Sequence, residues 1–111
     1  MLPDDAKIVI SSILAAVASR DYPAAIALTD SARCSADDLE RVRQGFKEPL
    51  ILPLHEFLDV LPVLTDGDQR WSVTAPFWNP IENTRSDLEM RFTVSVINKT
   101  WTIELDDILV G

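Results

Sequence analysis

The feature that most limits how this chain can fold is a stretch, residues 87–110, in which apolar and polar residues alternate. The apolar positions in its first half are Leu88, Met90, Phe92, Val94 and Val96. A period of two is typical of a strand that has one face on a core and the other in water. We therefore expect a half-buried sheet.

The same stretch predicts a β-hairpin if Asn98 and Lys99 form its loop. The expected pairs are Val96 with Trp101, Val94 with Ile103 and Phe92 with Leu105 on the inner face, and Ser95 with Thr102, Thr93 with Glu104 and Arg91 with Asp106 on the outer face. Such pairs contribute roughly 0.2–1 kcal/mol each. Asn98 suits a tight turn, but Lys99 is a poorer second residue than glycine, which leaves a longer turn as an alternative.

The alternation changes phase after Leu105, because the next inward residues would be Ile108 and Val110. One extra residue must be absorbed between them. A β-bulge at Asp106-Asp107 opposite Arg91 would do so, and it would restore Met90 opposite Ile108 and Leu88 opposite Val110. The bulge would display two adjacent carboxylates beside one guanidinium.

Helical periodicity dominates the first part of the chain. Pro3, Asp4 and Asp5 suit a helix start, and apolar spacing continues to about Ala18. A short second helix should begin after a cap at Asp21, and a third after a capping-box pattern at Ser35 and Asp38.

Strand patterns replace helical spacing after the third helix. Residues 57–64 alternate, with Pro62 favouring an edge strand, and residues 65–69 predict a hairpin loop. A second strand through Trp71 and Phe77 should end at Asn79-Pro80, and residues 79–86 should form a polar connection. The chain thus predicts one α+β domain over residues 1–111, with three N-terminal helices packed on a four-stranded antiparallel meander.

Charge narrows the possible partners. The net charge is −8, and residues 51–111 hold ten acidic and four basic groups against eight and six in residues 1–50. This excess of carboxylates argues against binding to nucleic acid or to an anionic membrane. A role in solubility alone would explain this excess of acidic residues. The alternative is that these residues form a surface that binds a basic protein. One cysteine and the lack of a signal-sequence pattern predict a cytoplasmic protein.

The residues that could carry catalysis or bind a metal are few. Cys34 and His55 are the single cysteine and histidine, so no zinc site of ordinary spacing is expected, and we expect no cofactor. Neighbouring His55 and Glu56 would point to opposite faces of a strand. We interpret Cys34 as a small apolar residue and His55 as a surface or cap residue. In a regular strand, Trp78 and Trp71 would lie on opposite faces of the sheet. Trp78 should therefore face outward unless Pro76 shifts the alternation.

Short motifs in the second half of the chain resemble a family of small, uncharacterised bacterial domains. The motifs are Trp71-Ser72-Val73, Phe77-Trp78, Glu82, Arg85-Ser86-Asp87-Leu88 and Glu104-Leu105-Asp106-Asp107-Ile108. Members of that family have a glycine before R-S-D-L and a histidine after D-D-I. This chain has Thr84 and Leu109 there, so no role of that histidine transfers. The order of helices followed by a curved sheet resembles nuclear transport factor 2-like domains, although those usually place a strand between their helices.

Two functions fit these observations. In the first, the chain is a bacterial immunity-type protein that binds and neutralises a cognate, basic toxin through its acidic sheet surface. The expected contact residues are Trp78, Asp87, Glu89, Arg91, Glu104, Asp106 and Asp107. In the second, it is a cone-shaped small-ligand-binding domain or small enzyme, with His55, Tyr22 or Asp59 in a pocket between helices and sheet.

Overall fold

Three helices and five strands make up the part of the chain that the computed structural model describes, residues 2–52, 58–63 and 69–110. In chain order they are α1 (Asp4–Ala18), α2 (Tyr22–Ala27), β1 (Ser31–Ala32), α3 (Ala36–Gly45), β2 (Asp59–Val63), β3 (Gln69–Asn79), β4 (Thr84–Ile97) and β5 (Thr100–Val110). The strands form one sheet in the order β1-β5-β4-β3-β2. The fold is therefore α+β.

Side-chain caps explain where α2 and α3 begin. Asp21 accepts a hydrogen bond from the backbone N–H of Ala24 at 3.3 Å, and Ser35 and Asp38 cap α3 reciprocally. Both caps were predicted, because short polar side chains satisfy the free N–H groups of a first helical turn. α1 carries Asp4 and Asp5 in its first turn and ends where predicted.

The core lies between the helices and one face of the sheet. Alternate residues of β3, β4 and β5 are fully buried there, together with one stripe of α1. The largest fully buried side chains include Phe77, Phe92, Ile10, Ile13 and Leu14. At about 25 cal/mol per Å² of buried apolar surface, this cluster is the main source of stability for the fold.

The β4–β5 hairpin has the predicted register. Five of the six predicted pairs are present, and in the sixth Arg91 lies opposite Asp107 instead of Asp106. Asp106 is the extra residue between Leu105 and Asp107, which confirms the predicted bulge. The loop has two residues, Asn98 and Lys99, with φ of 52° and 67°, so the longer turn was wrong. Positive φ at both positions is what the right-handed twist of a tight hairpin requires.

The four-stranded antiparallel prediction was incomplete, because β1 adds a fifth strand parallel to β5. The Asp30 carboxylate accepts from Ile103 N–H at 2.7 Å, and Arg33 N–H donates to the Leu105 carbonyl at 2.9 Å. A strand of two residues is too short to produce a periodic pattern in the sequence. β4 also begins at Thr84 instead of Leu88, which shortens the predicted polar connection.

The other predicted hairpin is present between β2 and β3, which pair antiparallel from Asp59 opposite Thr74 to Val63 opposite Arg70. Gln69 belongs to β3, and residues 65–68 of the predicted loop lie outside the described residues. β2 is one of the two edge strands of the sheet, as Pro62 predicted.

Candidate partner-binding surface

The sheet face opposite the helices is the candidate surface, and we call it the outer face. It consists of alternate residues on β2–β5, whose neighbours along each strand point into the core. The outer-face positions are Asp59, Leu61, Val63, Arg70, Ser72, Thr74, Trp78, Arg85, Asp87, Glu89, Arg91, Thr93, Ser95, Thr102, Glu104, Asp106 and Asp107. Nine of these 17 positions are exposed and the other eight are half-buried.

The bulge arranges the acidic residues at one side of the outer face. The Thr93 hydroxyl donates to Asp106 Oδ2 at 2.6 Å. Arg33 Nε lies 3.1 Å from Glu104 Oε1 and 4.0 Å from Asp106 Oδ1. Sequence reasoning missed Arg33 because its position depends on β1. The bulge thus holds Asp106 in a fixed orientation through a hydroxyl and a guanidinium.

A second set of charges crosses the sheet from β2 to β4. Arg85 bridges Asp59 at 3.2 Å and Glu89 at 3.1 Å, and Arg91 Nη2 lies 3.2 Å from Glu89 Oε1. The side chain of Glu89 is 14% exposed, because two guanidinium groups cover it. Arg91 therefore pairs with Glu89, and the expectation that it would pair with Asp106 was wrong.

Two predicted contact residues remain without an ion pair to any described residue. Asp87 is exposed between buried Ser86 and Leu88. Asp107 is exposed beside the bulge, and its Oδ1 accepts only from the N–H of Ile108, at 2.8 Å, within the described chain. These two carboxylates can accept a new cationic partner without first releasing an arginine.

Trp78 lies at the end of β3, on the outer-face side and half-buried. Its indole Nε1 donates to Asn83 Oδ1 at 3.4 Å, and its backbone pairs with Ile51 through hydrogen bonds of 2.9 and 3.0 Å. The ladder shifts register between Pro76 and Trp78, as the sequence had left open. Trp78 is thus held at the rim of the face instead of standing free as an anchor.

Cys34 lies half-buried against the bulge, with its thiol 3.9 Å from the Asp106 carbonyl oxygen. Burial raises the pKa of the Cys34 thiol, and the carboxylates of Asp107 and Asp38 raise it further. A reactive cysteine needs the opposite environment, one that stabilises the thiolate. This placement agrees with the interpretation of Cys34 as an inert residue.

The residues considered for a small-ligand pocket do not come together. Tyr22 is buried in the core cluster on the helical side of the sheet. Asp59 lies on the outer face, where it pairs with Arg85. His55, the third candidate, lies outside the described residues. Tyr22 and Asp59 cannot line the same pocket, because the sheet separates them.

The described residues contain no group of three or more His, Cys, Asp or Glu side chains that could hold a metal ion. None of the described helices is long and apolar enough to cross a membrane.

A protein-family model described as a domain of unknown function, DUF7668, matches residues 14–111. The match covers all five strands, all of α2 and α3, and the end of α1. No curated protein and no solved structure matches the chain. The resemblance in layout to nuclear transport factor 2-like domains therefore has no solved structure to support it.

Proposed function

The chain belongs to the DUF7668 family of domains of unknown function, and we propose that it is an immunity-type protein. In this proposal its outer face binds a basic protein partner. The partner we propose is a cognate toxin domain that presents arginine and lysine side chains. Binding to this face would neutralise the toxin by covering its basic surface.

The observation that carries this proposal is the presence of two exposed carboxylates, Asp87 and Asp107, on the outer face. The outer face holds six carboxylates and three guanidinium groups. A fourth guanidinium group, that of Arg33, lies at its edge. The arginines already occupy Asp59, Glu89, Glu104 and Asp106. An incoming cation would therefore meet Asp87 and Asp107 first, at little cost in broken contacts.

Packing does not require either of these carboxylates. Leu88 and Ile108 fill the core next to them, and the register on both sides of the bulge is fixed by apolar pairs. The paired carboxylates have a different role in the proposal, since their arginines hold them in place and reduce the conformational entropy lost on binding. The net charge of −8 would speed the encounter with a basic partner.

The test uses the polypeptide encoded beside this chain's gene, provided that it is basic. We expect the chain to bind it and to protect cells that express it. In the double variant Asp87→Lys with Asp107→Lys, we expect affinity to fall tenfold or more, with most of the loss in the association rate at low salt.

The matched control is Asp5→Lys with Glu40→Lys, which changes the net charge by the same amount on exposed helical positions away from the outer face. Circular dichroism would verify that both variants fold. If both double variants weaken binding equally, the outer face is not the interface and charge alone drives association. If the wild-type chain neither binds nor protects, the immunity-type function is wrong.

A further inference from the structure

The outer face also carries exposed aliphatic side chains along β2. Leu61 and Val63 lie two residues apart on this strand, so their side chains point to the same side of the sheet, and they are 67% and 40% exposed. We call this pair the apolar margin. Neighbouring exposed aliphatic side chains mark interaction sites more often than scattered ones do. Contacts between carboxylates and a basic partner do not involve these two residues, so the charge of the partner does not explain them.

The strand register places the apolar margin across the sheet from the acidic residues of β5. Leu61 lies opposite Ser72, and Thr93 lies opposite Glu104. Ser72 and Thr93 are opposite each other, so the four residues form one row. Because neighbouring strands are about 4.8 Å apart, this row spans about 14 Å. We call the β5 end of this region the acidic margin, and it consists of Glu104, Asp106 and Asp107.

The side chains at the centre of the outer face, between the two margins, are short. These central positions on β3 and β4 are Ser72, Thr74, Thr93 and Ser95. An arginine borders them at each end, and both arginines are already bonded. Arg70 Nε donates to Ser95 Oγ at 3.2 Å, and Arg91 Nη2 donates to Glu89 Oε1. A partner element can therefore approach the sheet closely and contact both margins.

An α-helix is the partner element that fits this spacing. A helix with its side chains is about 10–12 Å across, so long side chains on its two flanks reach both margins. An extended strand is narrower, and it presents only every second side chain to the sheet. A second copy of this chain fits poorly, because each copy has a net charge of −8 and the two outer faces would repel each other.

We propose that the outer face binds an amphipathic helix of its basic partner, with aliphatic residues of the helix on the apolar margin and its lysine or arginine residues on the acidic margin. This rests on the function proposed above, because it names the element of that partner that binds. Asp107 is the exposed carboxylate of the acidic margin and receives a cation there. Leu61 and Val63 bury apolar surface, which salt does not screen. Binding should therefore have a salt-resistant part that depends on the apolar margin.

The test uses three synthetic peptides of equal length and composition, made of leucine, arginine and alanine. The first has its leucines on one flank of a helix and its arginines on the other, the second is shuffled, and the third separates leucine and arginine with the period of a strand. Fluorescence anisotropy would measure the binding of each labelled peptide in about 0.3 M sodium chloride, where charge contacts are largely screened. We expect the helical peptide to bind about tenfold more tightly than the other two.

The decisive variant is Leu61→Thr with Val63→Thr. Threonine suits a strand but buries less apolar surface, so this variant should fold and should bind the helical peptide only as weakly as the shuffled one. The matched control is Ile8→Thr with Leu28→Thr. It changes two aliphatic residues of similar exposure, 57% and 41%, on α1 and just after α2, and it should bind the helical peptide as the wild type does. Circular dichroism would verify that both variants fold.

The proposal is overturned if the apolar-margin variant binds the helical peptide as tightly as the wild type, or if the control variant weakens binding equally. It is also overturned if the helical peptide binds no better than the shuffled one. Tightest binding of the strand-patterned peptide would mean that the partner element is extended. A wild-type dimer in sedimentation that the apolar-margin variant dissociates would make the occupant a second copy. Toxin neutralisation is measured separately with the neighbouring polypeptide, so these outcomes do not decide the immunity-type function.

Discussion

At the scale of single residues, Asp38 links the stability of α3 to pH. Ser35 N–H donates to Asp38 Oδ2 at 2.8 Å, and Asp38 N–H donates to Ser35 Oγ at 3.1 Å. The hydrogen bond from the Ser35 backbone N–H lowers the pKa of the Asp38 carboxyl most, the Ser35 side chain lowers it next, and Arg41 lowers it to a smaller extent. The folded protein thus favours the carboxylate over the acid at this position.

We predict a specific pH dependence from this lowered pKa. Because the folded value lies below the unfolded one of about 3.9, the contribution of Asp38 to stability is complete above that pH and is lost as the pH falls through the folded value. Carboxyl NMR titration should place the Asp38 pKa below its ordinary value. In Ser35→Ala the pKa should rise part of the way, because the backbone N–H remains. An unchanged pKa in Ser35→Ala would mean that the side-chain hydrogen bond does not contribute.

Two other residues adopt backbone conformations that their side chains do not favour. Arg20 has φ of 66° at the end of α1, and Lys99 has φ of 67° in the β4–β5 turn. The left-handed region costs a non-glycine residue roughly 1–2 kcal/mol. Neither residue signals such a conformation in the sequence, whereas Asn98 does, which is why the sequence could not decide the length of the hairpin turn.

At the scale of elements, the bulge in β5 is the feature that joins fold and candidate function. Removing one of the two aspartates leaves Leu105 opposite Phe92, the remaining aspartate opposite Arg91 and Ile108 opposite Met90. Every pair on either side of the bulge is therefore retained in a regular ladder. The deletion removes one carboxylate and the geometry that presents it, but no core contact.

We predict that deleting one aspartate at 106–107 leaves a cooperatively folding protein that binds the basic partner at least tenfold more weakly. Urea denaturation and a binding titration would measure the two effects separately. The control is deletion of Glu104, which turns Leu105 to the outer face and Asp106 into the core even when the bulge absorbs the missing residue, and which should therefore prevent folding. If the aspartate deletion also prevents folding, the bulge is needed for structure and does not serve binding alone.

The elements also show where sequence patterns stop being informative. β4 and β5 could be paired residue by residue, because long alternation and a phase break specify register. β1 could not be found, since its pairing depends on backbone groups and on the Asp30 carboxylate instead of a pattern. The position of Arg33 beside Glu104 and Asp106 was hidden for the same reason. Ion pairs between distant segments, such as Arg85 with Asp59, likewise require the assembled sheet.

At the scale of the whole molecule, two electrostatic effects oppose each other. Self-repulsion from the net charge of −8 destabilises the compact chain. The ion pairs among the described residues stabilise the chain. In each pair, however, at least one of the two side chains is substantially exposed, for example those of Arg33 at 72% and Arg41 at 75%. Exposed pairs contribute about 0–1 kcal/mol each. We therefore expect repulsion to dominate the response to salt.

The prediction is that sodium chloride, raised from near zero to about 0.3 M, increases the melting temperature, because the Debye length falls to about 10 Å or less. That length is shorter than the radius of gyration, 13.7 Å, so charges across the molecule become screened. Glu82→Gln with Asp87→Asn takes the net charge from −8 to −6 and should reduce the gain. Arg85→Gln removes a cation that bridges Asp59 and Glu89 and should enlarge it. A melting temperature that falls with salt would mean that the ion pairs outweigh the repulsion.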